Sequence, residues 1–470
     1  MTLFKVNSGA SLKVTNAMLN VPHIVPPPPP PDFYILSSSY DTETIFTGSG
    51  QANARFGTSA KALAADEGIY CLFGEPAYDG SEGSDEGRVF LYLSNSSGVT
   101  SEIFSPTDIS ASDQFGASVD MVSASNGLYI AISSPGKVVG ADSSRGHVYL
   151  YLKDSGGTNL VSTQAGLLQL SEFGSNTTQT TYEGIMGTSL ALGGNNNLFM
   201  SCFDYRYPSS FNGAIRLFES ASGGVTELDT ITAGASGEGW GRSNSMISAS
   251  DGLYLAVGTD GLYDTPVSNC GRGSLVRWQS SGSYTLDDLQ PDQILSGSDA
   301  FGMCNPNLLS GSDGINVMMG GQTTDFGTSP LGVGRAYLFL SNSSGLTQKS
   351  AFTSSDNSTN TQRFGYWLDI ISGSDQPLMT FVTSRQDAPG TSDNPGMISI
   401  YQTSSNISTF DYLTSSQHGV SINDEDFTRV SAVRSGNSIY IVGAAWKYDS
   451  PNTNSGRGYL YKWDLVVSGS

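Results

Sequence analysis

A bulky residue followed by glycine returns along this chain at nearly even intervals, and that return constrains the fold more than any other feature. The steps are Phe56-Gly57, Phe115-Gly116, Met186-Gly187, Trp240-Gly241, Phe301-Gly302, Phe364-Gly365 and a degenerate Phe427-Thr428, separated by 59, 71, 54, 61, 63 and 63 residues. With 470 residues, length alone points to about three domains. Repetition at a fixed period overrides that reading, because each repeat is then one supersecondary unit that buries its faces against its neighbours.

Each step leads into the same series. A turn and an apolar run follow, as in Asn126-Gly127-Leu128-Tyr129-Ile130-Ala131-Ile132 and Asp251-Gly252-Leu253-Tyr254-Leu255-Ala256-Val257. After a polar loop comes a glycine-led alternating run, as in Gly87-Arg88-Val89-Phe90-Leu91-Tyr92 and Gly334-Arg335-Ala336-Tyr337-Leu338-Phe339. A Ser/Asn/Gly turn such as Ser94–Gly98 then leads to a weaker strand. Asn-Gly, Asp-Gly and Ser-Gly are hairpin signals, and the β-branched and aromatic content favours strands. No stretch carries a sustained helical period. The unit is four short strands, A to D. One such sheet cannot cover both its faces, whereas seven packed radially can. The chain is therefore expected to be all-β, a seven-bladed β-propeller spanning residues 32–470. The glycine of each step is expected against the crowded central channel, with its aromatic ring between blades.

The last unit supplies A near Phe427–Val433, B near Ser438–Gly443 and C near Gly458–Trp463, with too little chain left for a full D strand. Thr42–Thr47 stands before the first step as Ser101–Ser105 stands before the second. The N-terminal segment is thus expected to complete blade seven and remove the open edges of the ring. Ahead of it, Pro26–Pro31 reads as an extended spacer of roughly 19 Å over residues 25–31. A ligand for a proline-reading domain is the alternative. Residues 1–24 hold two short strand-like runs, too few for a core. They read as an anchoring arm, with Leu3, Phe4, Val6, Leu12 and Val14 as its candidate contacts.

The run of Phe-Gly, Asn/Asp-Gly-Leu-Tyr-Ile-Ala-Ile and Gly-x-Val-Tyr-Leu-Tyr resembles the FG-GAP repeat of integrin α-subunit-like propellers, over about residues 42–464. That resemblance implies a seven-bladed propeller that works by binding. Its members often hold calcium in the A–B hairpin through D-x-D-x-D-G. The matching turns here, Ser123–Gly127, Ser248–Gly252 and Ser310–Gly314, carry at most one carboxylate each. Calcium takes six to eight oxygens, so no metal and no other cofactor is expected.

Composition narrows the partners. Charged residues are 14 %, and 22 Lys+Arg stand against 43 Asp+Glu, for a formal net charge of -21. Nucleic acid and anionic membrane both call for a basic patch, so neither is an expected partner. No apolar run reaches membrane-span length, and no secretory signal is read at the N-terminus. Cys71, Cys202, Cys270 and Cys304 are far apart and form no disulfide framework or zinc spacing. Cys71 and Cys202 sit in apolar runs and read as buried thiols.

No G-x-S-x-G, H-E-x-x-H or P-loop is present. His23, His147 and His418 are isolated from one another, and no catalytic residue is assigned. Asp79, Glu82, Asp85 and Glu86 read as one solvated acidic loop. Arg88, Arg145, Arg272, Arg335 and Arg457 recur at the start of strand C, where a guanidinium is expected to bond a neighbouring blade. Aromatic side chains in the B–C loops suggest contact with a partner. The candidates are Tyr78, Tyr205, Tyr207, Tyr263, Phe326, Trp446 and Tyr448, with Phe211 beside them.

The main expectation is a non-enzymatic structural and binding protein, a propeller head tethered through residues 1–31 to a larger assembly. The Ser/Thr/Asn/Gly-rich, lysine-poor composition is similar to that of bacteriophage virion proteins, such as a tail fibre or a capsid decoration protein. That places the chain in a virion, meeting a host-surface glycan or another protein at its long-loop face. The alternatives are a polysaccharide-acting enzyme and a bacterial surface adhesin at the cell surface.

Overall fold

The computed structural model describes residues 34–35, 40–137, 147–161, 188–192, 198–204, 213–221, 224–232, 240–241, 243–259, 271–279, 283–291, 301–302, 306–321, 334–353, 364–372, 378–385, 396–403, 410–417, 427–446, 452 and 454–467. The chain divides into two compact units, Met1–Pro31 and Asp32–Ser470. The first, with the proline run and the arm residues Leu3, Phe4, Val6, Leu12 and Val14, lies outside the described residues.

Strands β1 (Tyr34–Ile35) and β2 (Thr42–Phe46) precede the first unit. Blade 1 is β3 (Ser59–Ala65), β4 (Gly68–Glu75), β5 (Arg88–Asn95) and β6 (Gly98–Phe104). Blade 2 is β7 (Val119–Ala124), β8 (Gly127–Ser134), β9 (His147–Asp154) and β10 (Gly157–Leu160). Blade 3 is β11 (Thr188–Leu192), β12 (Leu198–Asp204), β13 (Ala214–Ala221) and β14 (Gly224–Ile231). Blade 4 is β15 (Ser243–Ala249), β16 (Gly252–Gly258), β17 (Gly273–Trp278) and β18 (Tyr284–Leu289). Blade 5 is β19 (Asn307–Gly311), β20 (Gly314–Gly321), β21 (Arg335–Asn342) and β22 (Gly345–Phe352). Blade 6 is β23 (Leu368–Ile371), β24 (Met379–Arg385), β25 (Gly396–Thr403) and β26 (Phe410–Gln417).

Blade 7 is built from both ends of the chain. Its sheet order is β2, then β29 (Arg457–Asp464), β28 (Ser438–Ala445) and β27 (Phe427–Ser435). Phe46 pairs with Gly458 and Thr42 with Lys462, so the N-terminal strand supplies the missing D position. Beyond it, β1 pairs antiparallel with β30 (Val466–Val467). The fold is an all-β, seven-bladed propeller of four-stranded antiparallel blades, with no helix among the described residues.

The core lies between blades. Tyr70, Leu72, Val89 and Leu91 of blade 1 form one buried cluster with Met121, Ile130, Ile132 and Tyr149 of blade 2. The aromatic step joins such pairs through the backbone. Phe56 bridges Gly456, Phe115 bridges Gly87, Phe301 bridges Gly271 and Phe364 bridges Gly334, each time the glycine that leads strand C of the preceding blade. Gly116 follows at φ +95°, and a Cβ there would lie 2.8 Å from Val89 Cγ2 and 2.9 Å from the Arg88 carbonyl. Glycine is thus required by the preceding blade's C strand, not by the channel. The ring then packs edge-on within its own blade, Phe56 on Phe90 at 5.4 Å and Phe115 on Tyr149 at 5.2 Å.

Candidate functional site

In an antiparallel meander of order A-B-C-D, the B–C and D–A connections share one face of the ring, and the A–B and C–D turns share the other. Two clusters of polar side chains occupy the ring: one near its axis, one on the loop face.

The axial cluster comes from one repeated position. It is the residue of strand A that pairs, through strand B, with the fourth residue after the glycine leading strand C. In chain order it is Lys61, Asp120, Ser189, Ser245, Asn307, Asp369 and Ser431, polar in every blade. Lys61 Nζ lies 3.0 Å from Asp120 Oδ1. Ser189 donates its hydroxyl to Asp120 at 3.2 Å, and its oxygen accepts the Met246 N–H at 3.0 Å. Asn307 Nδ2 donates to Asp369 at 2.5 Å, and the Ser431 hydroxyl accepts the Ala62 N–H at 3.1 Å. Side chain after side chain reaches into the next blade, so the girdle fastens blade to blade. Burial pulls the Lys61 ammonium down, while Asp120 and Asp369 push it up and prevail. Burial lifts Asp369 to about 6 against the pull of Lys61 and the N–H groups of Ala432 and Ile370. These groups are committed to one another.

The loop-face cluster is a departure from the repeat. The residue after the C-leading glycine is arginine in blades 1, 4, 5 and 7: Arg88, Arg272, Arg335 and Arg457. Arg88 pairs with Glu75 of its own blade at 2.7 Å and lies 3.8 Å over the Tyr78 ring. Arg272 pairs with Asp288 of its own blade at 2.6 Å. The expectation of a bond to a neighbouring blade is corrected for Arg88, because the cross-strand ladder puts the acid of its own blade within reach. Arg145 lies outside the described residues, and the equivalent position belongs to His147. Opposite His147 stands Ser134, where blade 1 has Glu75 opposite Arg88. The acid partner is gone, and both His147 nitrogens lack a hydrogen-bond partner among the described residues at 5 % exposure.

Around His147 two connections converge on its own strand. The Tyr149 ring is 4.7 Å from the imidazole on the same strand face. Its hydroxyl lies 3.2 Å from both carboxylate oxygens of Asp108, in the connection between blades 1 and 2. Lys137, in the B–C connection of blade 2, reaches Asp108 at 3.2 Å and Asp113 at 3.5 Å, and also donates to the Asp108 carbonyl. Burial, helped by Lys137 and opposed by Asp108, lowers His147 to about 4, so the imidazole is neutral at neutral pH. Burial and the Asp108 charge push the Tyr149 phenol far above its ordinary value. Burial also raises Asp113, against the Ser110 N–H and Lys137. The cluster meets solvent at Asp108, whose side chain is 51 % exposed. It holds a neutral base beside a protonated acid, the pairing that proton transfer in both directions requires.

Of the sequence candidates, Tyr78 is half-buried beneath Arg88, and Trp446 is buried, with the Arg55 guanidinium 5.3 Å over its ring. Tyr205, Tyr207, Tyr263, Phe326 and Tyr448 lie outside the described residues. No group of three or more His, Cys, Asp or Glu side chains is arranged to hold a metal among the described residues. Sequence reading passed over His147, and the one signal for it was Gly146-His147 standing where other blades read Gly-Arg.

No protein-family model matches the chain, FG-GAP included, and no curated protein matches it. Solved structures of similar fold include the polysaccharide lyase Uly1, at TM-score 0.49 and 10 % identity over 93 % of this chain and 98 % of that one. A mutant Trypanosoma rangeli sialidase displaying trans-sialidase activity matches at TM-score 0.44 and 10 % identity over 91 % of this chain, which spans 60 % of the sialidase. The Pseudomonas aeruginosa periplasmic gluconolactonase PpgL matches at TM-score 0.44 and 12 % identity, over 91 % of this chain and 99 % of that one. Each is an enzyme by name, and the expectation of a non-enzymatic structural and binding protein is corrected on that finding. At such identity and TM-score the likeness carries no substrate or residue role to this chain.

Proposed function

We propose that the chain is an enzyme acting on a polysaccharide at the face that carries the B–C and D–A connections, by general acid–base chemistry at His147 and Tyr149. The observation that carries this reading is His147 itself. A buried, neutral imidazole with neither nitrogen bonded to a described residue occupies a position that two other blades fill with an ion-paired arginine. A buried imidazole held unprotonated at neutral pH, in a place the repeat reserves for structure, marks a site. The imidazole takes a proton from the sugar carbon in an elimination, or from the attacking water in a hydrolysis, as the bond to the glycosidic oxygen breaks, and the Tyr149 phenol gives its proton to that leaving oxygen. Asp108 orients the phenol, and Lys137 keeps Asp108 in place.

A saccharide suits the surroundings. On the same face, where blades 7 and 1 meet, lie the amide side chains of Gln51, Asn53, Asn452 and Asn454, and half-buried Tyr78 in blade 1 adds a ring. Such sets of amides and aromatics read hydroxyl-rich ligands. The test is a panel of neutral and acidic polysaccharides, followed by release of reducing ends and by the ultraviolet absorbance of unsaturated ends, which separates elimination from hydrolysis. The decisive variant is His147→Arg with Ser134→Glu, which installs blade 1's Arg88–Glu75 pair in blade 2. It is expected to fold and to lose at least a hundredfold in kcat, in line with removal of a general base. Full activity in that variant overturns the assignment.

A further inference from the structure

The interface between blades 5 and 6 departs from the repeat at another position. The third residue after the C-leading glycine is Phe90, Tyr149, Tyr337 and Tyr459 in blades 1, 2, 5 and 7. There the ring meets the aromatic step edge-on in blades 1, 2 and 5, as with Phe301 and Tyr337 at 5.6 Å. Blade 4 has Ser274 instead, and compensates: its step carries the larger Trp240, whose Nε1–H lies 3.3 Å from the Ser274 hydroxyl oxygen. Blade 6 has Ser399, and its step is Phe364, no larger than the others. Phe364 meets Tyr401 edge-on at 6.4 Å instead, and the position of the missing ring is left with a serine hydroxyl.

The same face of blade 6 carries a second hydroxyl. Thr380 stands where the other ladders place Cys71, Ile130, Leu255, Val317 and Ile441. Thr380 and Ser399 are both 0 % exposed, and neither hydroxyl has a protein partner among the described residues. Val382 pairs directly with Ser399 across the ladder, and packs in one cluster with Met318, Ala336 and Leu338 of blade 5. That apolar wall offers no hydrogen bond. A buried hydroxyl left unpaired is strongly disfavoured, and a small polar space with several such groups is where proteins hold internal water.

We propose that the blade 5–6 interface is an internal binding site for water, with Thr380 and Ser399 as its ligands. The site is independent of the loop-face chemistry, and so is its test. Magnetic relaxation dispersion of water oxygen-17 on the full chain counts long-lived internal water. Ser399→Tyr, which restores the ring found in blades 2, 5 and 7, is expected to lower the dispersion amplitude by one water or more. Thr380→Val, close to isosteric and without the hydroxyl, serves if the larger side chain prevents folding, and is expected to lower it as well. An unchanged amplitude in a folded variant overturns the site.

Discussion

Asp369 Oδ2 accepts the amide N–H of Ala432 at 2.5 Å, across the boundary between blades 6 and 7. Its other oxygen takes the Asn307 side-chain N–H from blade 5 and the N–H of its own neighbour Ile370. One carboxylate therefore joins three consecutive blades near the axis.

That placement makes stability depend on pH in a stated direction. Asp369 is raised to about 6 in the fold, against an ordinary value of 3.8, so the folded state holds the proton more tightly. Its stabilising contribution is full below about pH 4 and is lost as the pH rises through about 6, a span worth about 3 kcal/mol. Asp369→Asn removes that slope. It also lowers stability overall, by about 1–3 kcal/mol, because an amide nitrogen cannot accept the Ala432 N–H. Denaturant melts of both proteins across this range check it, and an unchanged slope in the variant contradicts the assignment.

Ring closure by β2 separates two truncations. Removing residues 1–31 takes away none of the strands in the seven sheets and is expected to leave the melting temperature within a degree or two. Removing residues through Phe46 strips the fourth strand from blade 7 and exposes the β29 edge. That shorter protein is expected to melt far lower or to aggregate. Calorimetry distinguishes the cases.

Gly116 and Gly98 make a matched pair. Both have positive φ, +95° and +120°, but a Cβ on Gly98 meets nothing within 4 Å, whereas one on Gly116 strikes blade 1. Gly98→Ala is expected to cost about 1 kcal/mol of backbone strain. Gly116→Ala is expected to cost several times that, since the obstacle includes backbone. Equal losses in chemical melts overturn the account of the aromatic step.

Cys71 is fully buried, and burial pushes its thiol well above the ordinary range. Iodoacetamide at pH 8 is expected to leave its peptide unmodified in the native protein and to label it in denaturant. Native labelling at the rate of a free thiol contradicts the packing of β4 against blade 7.

Much of the architecture was readable because every blade repeats the same local chemistry. The Asn-Gly and Asp-Gly turns at Gly127, Gly252 and Gly314 gave the A–B hairpins, and Thr42–Thr47 gave the closing strand. The girdle stayed hidden because its seven members are a lysine, two aspartates, three serines and an asparagine, alike only in place. In blade 3 the register is also displaced: Ser189, not the fourth residue after Gly187, pairs with Ser201. His147 was missed for the opposite reason. Its meaning lies in differing from Arg88, and Arg145, two residues earlier, drew the comparison off by two positions. Its nearness to Asp108 and Lys137 depends on which loops share a face, which follows only from the folded ring.

The closing strand has a mechanical consequence. β2 and β29 run antiparallel, and the chain enters at Thr42 and leaves near Asp464 on the same side of the ring, with β1 and β30 paired beyond them. A force that pulls these two ends apart loads the hydrogen bonds one at a time, as a zipper is loaded, and never all together in shear. Under tension the ring should open at blade 7 at low force and then unravel sheet by sheet, while the same ring resists heat as a closed body.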